Sequence, residues 1–158
     1  EQIAKIMLGL EQDLQTNESD WVVVFGDTTS TIAASIVASK MGIRLAHIEA
    51  GLRSFNRDMP EEINRIVSDH VSDLLFAPSD TGMSNLINEG LEKRAVKTGD
   101  LMADVLFHFK DKLSNEVISQ FNSKKGSYYL LTLHRPASVD NTEMLDWMVK
   151  QVAAITKK

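Results

Sequence analysis

The sequence predicts an α/β fold in which a Rossmann-like parallel sheet is flanked by helices. Apolar runs of strand length alternate with stretches of helical periodicity along residues 1–112, which is the pattern that builds parallel sheets. Residues 22–25, Val-Val-Val-Phe, show no polar alternation, and this predicts a strand covered on both faces. Polar residues follow the ends of several runs, at the edge where open α/β sheets bind ligands.

Composition excludes several classes of protein. The chain has 158 residues, 43% hydrophobic and 25% charged, as in a soluble globular protein, and no apolar run is long enough to cross a membrane. A net charge of −5 argues against a nucleic-acid binder, which needs clustered Lys and Arg. Without cysteine the chain has no disulfide or thiolate metal site, and we expect a cytoplasmic location. We see no signal peptide, and because the chain begins at Glu1 without a methionine, we expect it to be part of a longer protein.

Each predicted element has a local signal. Strands are predicted over residues 22–25, 43–49, 74–77, 95–97 and 128–133. Helical periodicity covers residues 3–14, 30–41, 60–70, 83–87, 101–109 and 144–155. Gly42 can cap the second helix in the left-handed conformation, and Pro60 begins the third, with acids facing the positive end of its dipole. The residues that we expect this third helix to bury are Ile63, Ile66, Val67 and His70.

The chain changes character after residue 112. Residues 113–127 are charged, rich in Ser, Asn and Lys, and weakly periodic, as in a connection between domains. Residues 128–158 start again with a strand and continue as a helix, which is too little to enclose a core. We expect residues 1–112 to be the later part of an N-terminal Rossmann-like domain, residues 113–127 an interdomain connection, and residues 128–158 the truncated start of a C-terminal Rossmann-like domain.

Acidic residues and a histidine collect at the predicted sheet edge. Asp27, Glu49 and His134 each follow a strand. The loop after the second strand leads to a further acid, Glu61, and such a cluster suits acid/base catalysis or cation binding. Each acid also has a structural interpretation. Asp27 can cap a helix as readily as it can catalyse, and Glu61 can pair with Arg65 four residues later.

Other catalytic and cofactor motifs are missing from the sequence. His47 and Glu49 share a strand face by the two-residue period, but two ligands make a weak metal site, so we expect no metal. The sequence has no Gly-x-Ser-x-Gly elbow, no dinucleotide-binding Gly-x-Gly-x-x-Gly and no phosphate-binding Gly-x-x-x-x-Gly-Lys-Ser/Thr. The residues therefore predict an acidic site with arginines nearby and without a nicotinamide cofactor, and they leave the reaction undefined.

Five motifs occur in order along the chain. They are Gly-Asp-Thr-Thr-Ser-Thr at 26–31, His-Ile-Glu-Ala-Gly-Leu-Arg-Ser at 47–54, Met-Pro-Glu-Glu-Ile-Asn-Arg at 59–65, Thr-Gly-Asp at 98–100 and Thr-Leu-His-Arg at 132–135. This series resembles the non-hydrolysing UDP-N-acetylglucosamine 2-epimerases over essentially the whole chain. The resemblance implies a GT-B-like two-domain fold of which this chain is the middle, and a homodimer as the full-length protein.

The resemblance also implies an activity. Family members interconvert UDP-GlcNAc and UDP-ManNAc by eliminating UDP and adding it back, without metal or nicotinamide, and in bacteria they supply precursors of cell-surface polysaccharides. The positions that match the family's catalytic residues are Asp27, Glu49, Glu61 and His134. The expected substrate-binding residues are Arg53, Arg65 and Arg135. Arg135 could hold the diphosphate, whereas the other two arginines could orient the carboxylates or fix the loop. Which carboxylate removes the proton and which returns it stays open.

Two departures from the family pattern bear on the details. Pro136 and Ala137 follow the His-Arg pair, where family members commonly carry a polar pair, and this affects the diphosphate contacts more than the reaction type. Thr28 stands where hydrolysing relatives often carry Arg, so we expect UDP to be retained. A related UDP-sugar, such as a diacetamido-uronic acid, is an alternative substrate, and a non-catalytic nucleotide-sugar-binding module is an alternative of another class. The 158-residue chain alone is expected to be inactive.

Overall fold

The chain consists of two compact units. The structure, a computed structural model, describes residues 1–113, 116–121, 124, 126–133 and 136–155. Unit 1 comprises Glu1–Asp111 and unit 2 comprises Lys112–Lys158. Among the helices of the described ranges, none combines the length and the apolar character that crossing a membrane requires.

Helices and strands alternate through unit 1. In chain order they are α1 (Gln2–Thr16), β1 (Trp21–Phe25), α2 (Thr29–Met41), β2 (Arg44–Ile48), α3 (Pro60–Val71), β3 (Leu74–Ala77), α4 (Asp80–Asn88), β4 (Ala95–Lys97) and α5 (Leu101–Phe109). Short 3-10 turns at Glu92–Arg94 and Lys110–Lys112 precede β4 and follow α5. The predicted α/β class is confirmed, and each of these strands begins and ends within one residue of its predicted bounds.

The four strands form one parallel sheet in the order β1-β2-β3-β4. With right-handed crossovers, this sequential order places the connecting helices on one face of the sheet, and α2 indeed packs against α3. On the other face of β1, Trp21, Val23 and Phe25 are exposed, Phe25 by 57%. The prediction that β1 is covered on both faces is therefore wrong for the described unit, because its apolar residues face a helix layer on one side only.

The core lies between the sheet and this helix layer. Its buried apolar residues include Val24, Ala38, Leu45, Ala50, Leu75, Ala77, Leu86 and Leu91. Helix α2 contributes small side chains, and Ala33, Ser35 and Ala38 are fully buried. Small residues let the helix axis approach the sheet closely, so the backbones at the start of α2 and at the ends of the strands come near one another.

Helix α3 buries a polar face. Its buried residues are Glu62, Asn64, Ser68 and Asp69, whereas the apolar residues that we expected inside, Ile63, Ile66 and Val67, are only half-buried. His70 was expected in the core and is 46% exposed, with its Nε2 3.1 Å from Glu89. These expectations were wrong because the buried side of α3 meets strand ends and loop amides. Such backbone groups need polar partners, so polar residues of α3 face them.

Side chains of the preceding residues cap the starts of three helices of unit 1. Thr28 caps α2 by accepting from the Thr31 amide, and Ser79 caps α4 by accepting from the Gly82 amide. Asp100 caps α5 through the amides of residues 102 and 103. Gly42 ends α2 with φ 74°, as predicted, and this left-handed conformation favours glycine.

Unit 2 contains three described helices, α6 (Glu116–Gln120), α7 (Pro136–Val139) and α8 (Thr142–Ile155). Asn141 caps the start of α8 by accepting from the Met144 amide at 3.0 Å. The strand predicted at residues 128–133 is wrong, since these residues form no strand and Leu130 is 88% exposed. No second strand lies within the described part of unit 2, and a lone strand leaves its backbone groups unpaired.

Gly51 is a position where a side chain cannot fit. Its φ is 81°, and a Cβ at this position would lie 2.3 Å from the carbonyl oxygen of Gly82. We predict that Gly51→Ala destabilises unit 1 by about 3 kcal/mol, because the left-handed conformation and the backbone overlap both act against alanine. Denaturant unfolding measures the change in free energy.

Gly90 provides the matched control for this substitution. It has φ 76° but nothing lies within 4 Å of a Cβ placed there, so Gly90→Ala should cost only about 1 kcal/mol. Equal losses of stability in the two variants would contradict the close approach of the Gly51 and Gly82 backbones.

Candidate active site

The strand ends bring Asp27 and Glu49 together. The Gly26 amide donates to the Ile48 carbonyl at 3.0 Å, so the turns that follow β1 and β2 lie side by side. Glu49 Oε2 lies so close to this turn that a Cβ on Gly26 would be 3.5 Å from it. Two of the predicted catalytic carboxylates therefore share one location at the carboxyl edge of the sheet.

Glu49 has a strained backbone. Its φ is 74°, and it is one of two described non-glycine residues with positive φ. This conformation is unfavourable for a glutamate by about 1–2 kcal/mol, and strain of this kind concentrates at functional sites. The backbone twist places the Glu49 side chain at the sheet edge directly after a buried strand, and nothing in the sequence signals it.

The surroundings of Glu49 oppose its ionisation. Partial burial raises the pKa of Glu49, and the negative charges of Asp27 and Asp100 raise it further, while Arg65 and His47 act in the opposite direction. This is the result expected where carboxylates are crowded. A glutamate with a raised pKa can exchange protons closer to neutral pH, as an acid/base catalyst must.

Asp27 is held by α3 and does not cap a helix. Its carboxylate forms an ion pair with Arg65, and the Asn64 side chain donates to its backbone carbonyl at 2.8 Å. Thr28 is the cap of α2 instead, so the capping role that was equally plausible from the sequence falls to a neighbouring residue. Asp27 and Glu49 thus lie side by side, and the Asp27 carboxylate is the one that pairs with Arg65.

Glu61 is only half-buried, and its side chain makes no hydrogen bond or ion pair within the part of the chain that the structure describes. The expected Glu61–Arg65 pair is wrong, because Arg65 pairs with Asp27 and approaches Glu62 at 3.4 Å. Glu61 nevertheless lies one helical turn before Arg65, on the side of α3 that reaches Asp27. It remains a candidate for a group that contacts a ligand.

Glu62 is the acid that organises the loop after β2. Its buried carboxylate accepts hydrogen bonds from the Ser54 amide at 2.8 Å, the Ser54 hydroxyl at 2.9 Å and the Phe55 amide at 2.9 Å. Burial disfavours its charge, but these bonds and Arg65 outweigh burial and hold the pKa of Glu62 below its ordinary value. Phe55 adopts φ 57° and is 79% exposed, so Glu62 fixes a loop that presents an aromatic ring.

Arg53 is a structural residue of the same loop. Its side chain is 1% exposed and lies 2.8 Å from Asp69, and it donates twice to Glu89 at 2.7 Å. The expected assignment of Arg53 to substrate binding stays a prediction. The other role proposed for it, fixing the loop, fits its position.

His47 is enclosed between β2 and α3. Its ring is 0% exposed, with Nδ1 2.7 Å from Asp69 and Nε2 2.7 Å from the Gly26 carbonyl. Both ring nitrogens are therefore occupied by protein partners, so the weak His47–Glu49 metal pair is not formed. Within the described ranges, no group of three His, Asp or Glu side chains is arranged to hold a metal ion.

Several residues that shape the site were not among the predicted site residues. They are Glu62, Asp69, Glu89 and Asp100. A signal existed for the first two, because Glu62, Arg65 and Asp69 follow the i, i+3, i+7 spacing of one helix face. The apolar residues on the neighbouring face of α3 were predicted to be the buried side instead. His134 and Arg135 lie outside the described residues.

The raised pKa of Glu49 predicts a stability effect with a defined sign. Because its pKa in the folded protein lies above the ordinary 4.5, ionisation of Glu49 costs stability as the pH rises through the raised value. We predict that Glu49→Gln raises the melting temperature at pH 7, by roughly 1–3 °C, and has no effect near pH 4. Thermal unfolding of the wild type and the variant at both pH values measures the change in melting temperature.

Glu89 is the matched control, because its pKa is shifted the other way. The hydrogen bonds and charge of Arg53 lower the pKa of Glu89, so its ionised form stabilises the fold above pH 4.5 and this contribution is lost as the pH falls. Glu89→Gln should lower the melting temperature at pH 7. A shift of the same sign in both variants would contradict the electrostatic description of the site.

The chain is similar in sequence to proteins of known family. The family profile described as UDP-N-acetylglucosamine 2-epimerase matches residues 1–158. The UDP-N-acetylglucosamine 2-epimerase of Methanocaldococcus jannaschii is 44% identical over 160 residues, covering 98% of this chain and 44% of the relative. The UDP-2,3-diacetamido-2,3-dideoxy-D-glucuronate 2-epimerase of Pseudomonas aeruginosa is 40% identical over 154 residues, covering 96% and 43%.

A solved structure gives the same result. The crystal structure of the M. jannaschii UDP-GlcNAc 2-epimerase in complex with UDP-GlcNAc and UDP superposes with a TM-score of 0.88 at 41% identity, covering 99% of this chain and 44% of that one. This likeness supports the GT-B-like fold that the sequence motifs imply. The chain spans less than half the length of these relatives. It belongs to the UDP-N-acetylglucosamine 2-epimerase family.

Proposed function

We propose that the full-length protein epimerises UDP-GlcNAc at C2, giving UDP-ManNAc by elimination and re-addition of UDP. The observation that carries the proposal is the meeting of Asp27 and Glu49 at one sheet edge, where Arg65 pairs with the first and burial raises the pKa of the second. Membership of the family supplies the reaction and the substrate class. No metal or nicotinamide enters the proposal.

The chemistry explains why two acidic groups are needed. The proton on C2 is weakly acidic, so a direct exchange would be slow. In the proposed route a base removes this proton while the bond from C1 to the diphosphate oxygen breaks, which leaves a C1=C2 double bond in a 2-acetamidoglucal. UDP then adds back to C1 as an acid delivers a proton to the opposite face of C2. The reaction therefore requires a base on one face and an acid on the other.

Asp27 and Glu49 offer this combination. Asp27 forms an ion pair with Arg65, whereas partial burial and the neighbouring negative charges raise the pKa of Glu49. Two carboxyl groups that share one sheet edge and have different surroundings are suited to different roles in one reaction. Because the reaction is reversible, each group can act as base in one direction and as acid in the other.

The remaining site assignments rest on sequence motifs. We assign Glu61 and His134 to catalysis and Arg135 to the diphosphate, and Arg65 acts by orienting Asp27. We assign residues 1–112 to the later part of the first domain and residues 128–158 to the start of the second. The 158-residue chain alone should not turn over substrate, because the solved 2-epimerase to which it is similar is more than twice as long.

The cellular context is part of the proposal. A protein that makes UDP-ManNAc would supply precursors of bacterial cell-surface polysaccharides and work in the cytoplasm as a homodimer. The cysteine-free sequence suits a reducing compartment. The net charge of −5 favours a small-molecule substrate over a nucleic-acid partner.

A related UDP-sugar is the second candidate substrate. The P. aeruginosa relative, which is 40% identical over 96% of this chain, is named for a UDP-2,3-diacetamido-2,3-dideoxy-D-glucuronate. The proposed chemistry at C1 and C2 is the same for both sugars. The two sugars differ at C3 and C6. A competition experiment with both substrates measures the ratio of their kcat/KM values and so identifies the preferred one.

Isotope exchange tests the reaction itself. The full-length protein is incubated with each UDP-sugar in deuterated water, and the products are followed by NMR. We expect deuterium at C2 and a mixture of the two epimers, because the proton comes from solvent on the opposite face. Binding without label would indicate a non-catalytic module, and release of free UDP with ManNAc would indicate a hydrolase, so either outcome contradicts the proposal.

Variants of the two carboxylates sharpen this test. Asp27→Asn and Glu49→Gln should each lower exchange at C2 by about 100-fold or more, the range typical of an acid/base residue, while the fold is kept. Asp80→Asn is the control, because Asp80 is an exposed acid of unit 1 paired with Lys97. Near-normal exchange in both site variants would remove them from the mechanism.

A further inference from the structure

His47 joins β2 to the turn that carries Asp27. It stands two residues before Glu49, its ring is 0% exposed, and its Nε2 lies 2.7 Å from the Gly26 carbonyl oxygen. A carbonyl oxygen only accepts, so Nε2 carries a hydrogen and donates it. Asp27 follows Gly26 directly, and the ring therefore holds the backbone unit that places the Asp27 carboxylate.

Asp69 extends this contact to the turn that carries Glu49. One of its oxygens lies 2.7 Å from His47 Nδ1. The other accepts from the Gly51 amide at 3.0 Å and lies 2.8 Å from Arg53. Gly51 is two residues beyond Glu49 and has φ 81°, so Asp69 holds the far end of the strained turn.

We propose that His47 is a positioning residue for the reaction, which fixes Asp27 relative to Glu49 by holding the Gly26 carbonyl and, through Asp69, the Gly51 amide. The proposal rests on the proposed function, because the placement of the two carboxylates matters for turnover only if both act on one substrate. It gives His47 a role that requires no contact with the substrate.

Burial makes this arrangement rigid. His47 and Asp69 are fully buried, and Asp69 is tied by Arg53 to Glu89. Removing the Nε2 donor of His47 would leave the Gly26 carbonyl oxygen without its hydrogen-bond partner. Because an unpaired buried acceptor is unfavourable, the turn after β1 would shift. A displacement of about 1 Å at a reacting group can lower the rate by about 100-fold, so a small shift of the turn after β1 is enough to be measured.

Two substitutions separate the two hydrogen bonds. Asparagine places its amide nitrogen near the position of Nδ1 and has no group at Nε2, whereas glutamine places its amide nitrogen near Nε2. His47→Asn thus loses the bond to Gly26, and His47→Gln keeps it. We expect His47→Asn in the full-length protein to lower kcat for exchange at C2 by about 10- to 100-fold with KM nearly unchanged, and His47→Gln to recover to within about tenfold of wild type.

Ser68→Ala is the control for a general loss of stability. Ser68 is a fully buried residue of α3, and its hydroxyl accepts from the Ser35 hydroxyl at 3.1 Å and bonds to neither turn. We expect a lower melting temperature with kcat unchanged. If Ser68→Ala lowers kcat as much as His47→Asn, or if His47→Asn keeps the wild-type kcat, the positioning role is overturned.

Titration of Glu49 gives a readout that does not depend on turnover. Carbon-13 NMR of glutamate-labelled full-length protein follows its carboxyl group, assigned with Glu49→Gln. Loss of positioning lets Asp27 move away, so Glu49 in His47→Asn should titrate closer to its ordinary range. Loss of the electrostatic effect of His47 alone would move it further upward, because His47 lowers the pKa of Glu49, and an upward or absent change would overturn the proposal.

The two readouts separate this proposal from the proposed function. Wild-type protein without exchange at C2 would refute the epimerase reaction, and the Glu49 titration would still decide whether His47 positions the carboxylates. Should His47→Asn fail to fold, His47→Gln replaces it in both measurements. Because its kept bond to Gly26 leaves Asp27 in place, it then predicts a kcat within about tenfold of wild type, an unchanged KM and no downward change in the Glu49 titration, and a downward change or a loss of kcat of about 100-fold would overturn the proposal.

Discussion

The hydrogen bonds of the buried His47 ring are the constraint on which the carboxyl edge of the sheet depends. They join the turn after β1 to β2 and to α3 at distances of 2.7 Å, and Asp69 continues the connection to the Gly51 amide. Asp27 and Glu49 lie on the two turns that these bonds restrain. A buried hydrogen-bonded network is costly to break because every loss leaves a polar group unpaired, so the network gives the two acids a defined geometry.

Helix α3 supplies the polar partners of this sheet edge and buries less apolar surface as a result. It turns Glu62, Asn64, Ser68 and Asp69 inward and leaves apolar residues half-buried, the reverse of an ordinary amphipathic helix. Each inward group has a partner, and among the described residues no buried side-chain nitrogen or oxygen lacks one. The strained backbone of Glu49 and the like charges around it destabilise the folded state. The hydrogen bonds and ion pairs of the buried polar groups offset this loss of stability.

The sequence was sufficient to predict the strands and helices of unit 1. Parallel strands, Gly42 and Pro60 follow local rules of propensity and capping that act over a few residues, and these predictions were confirmed. Contacts between distant segments could not be predicted in this way. The exposed His70, the partner of Arg65 and the bonds of His47 depend on how α3 lies against the strand ends, which no local pattern encodes. The strand predicted at residues 128–133 failed for a related reason, since a strand needs a neighbour and local propensity does not supply one.

The central claim is that Asp27 and Glu49 face the same carbon of a UDP-sugar. A crystal structure of the full-length Glu49→Gln protein with UDP-GlcNAc tests it most directly, because this variant should bind the substrate without converting it. The account predicts C2 of the sugar between residues 27 and 49, with a side-chain oxygen of each within about 3.5 Å of it or one water molecule away. A sugar ring bound at another edge of the protein, with both side chains in solvent, would contradict it.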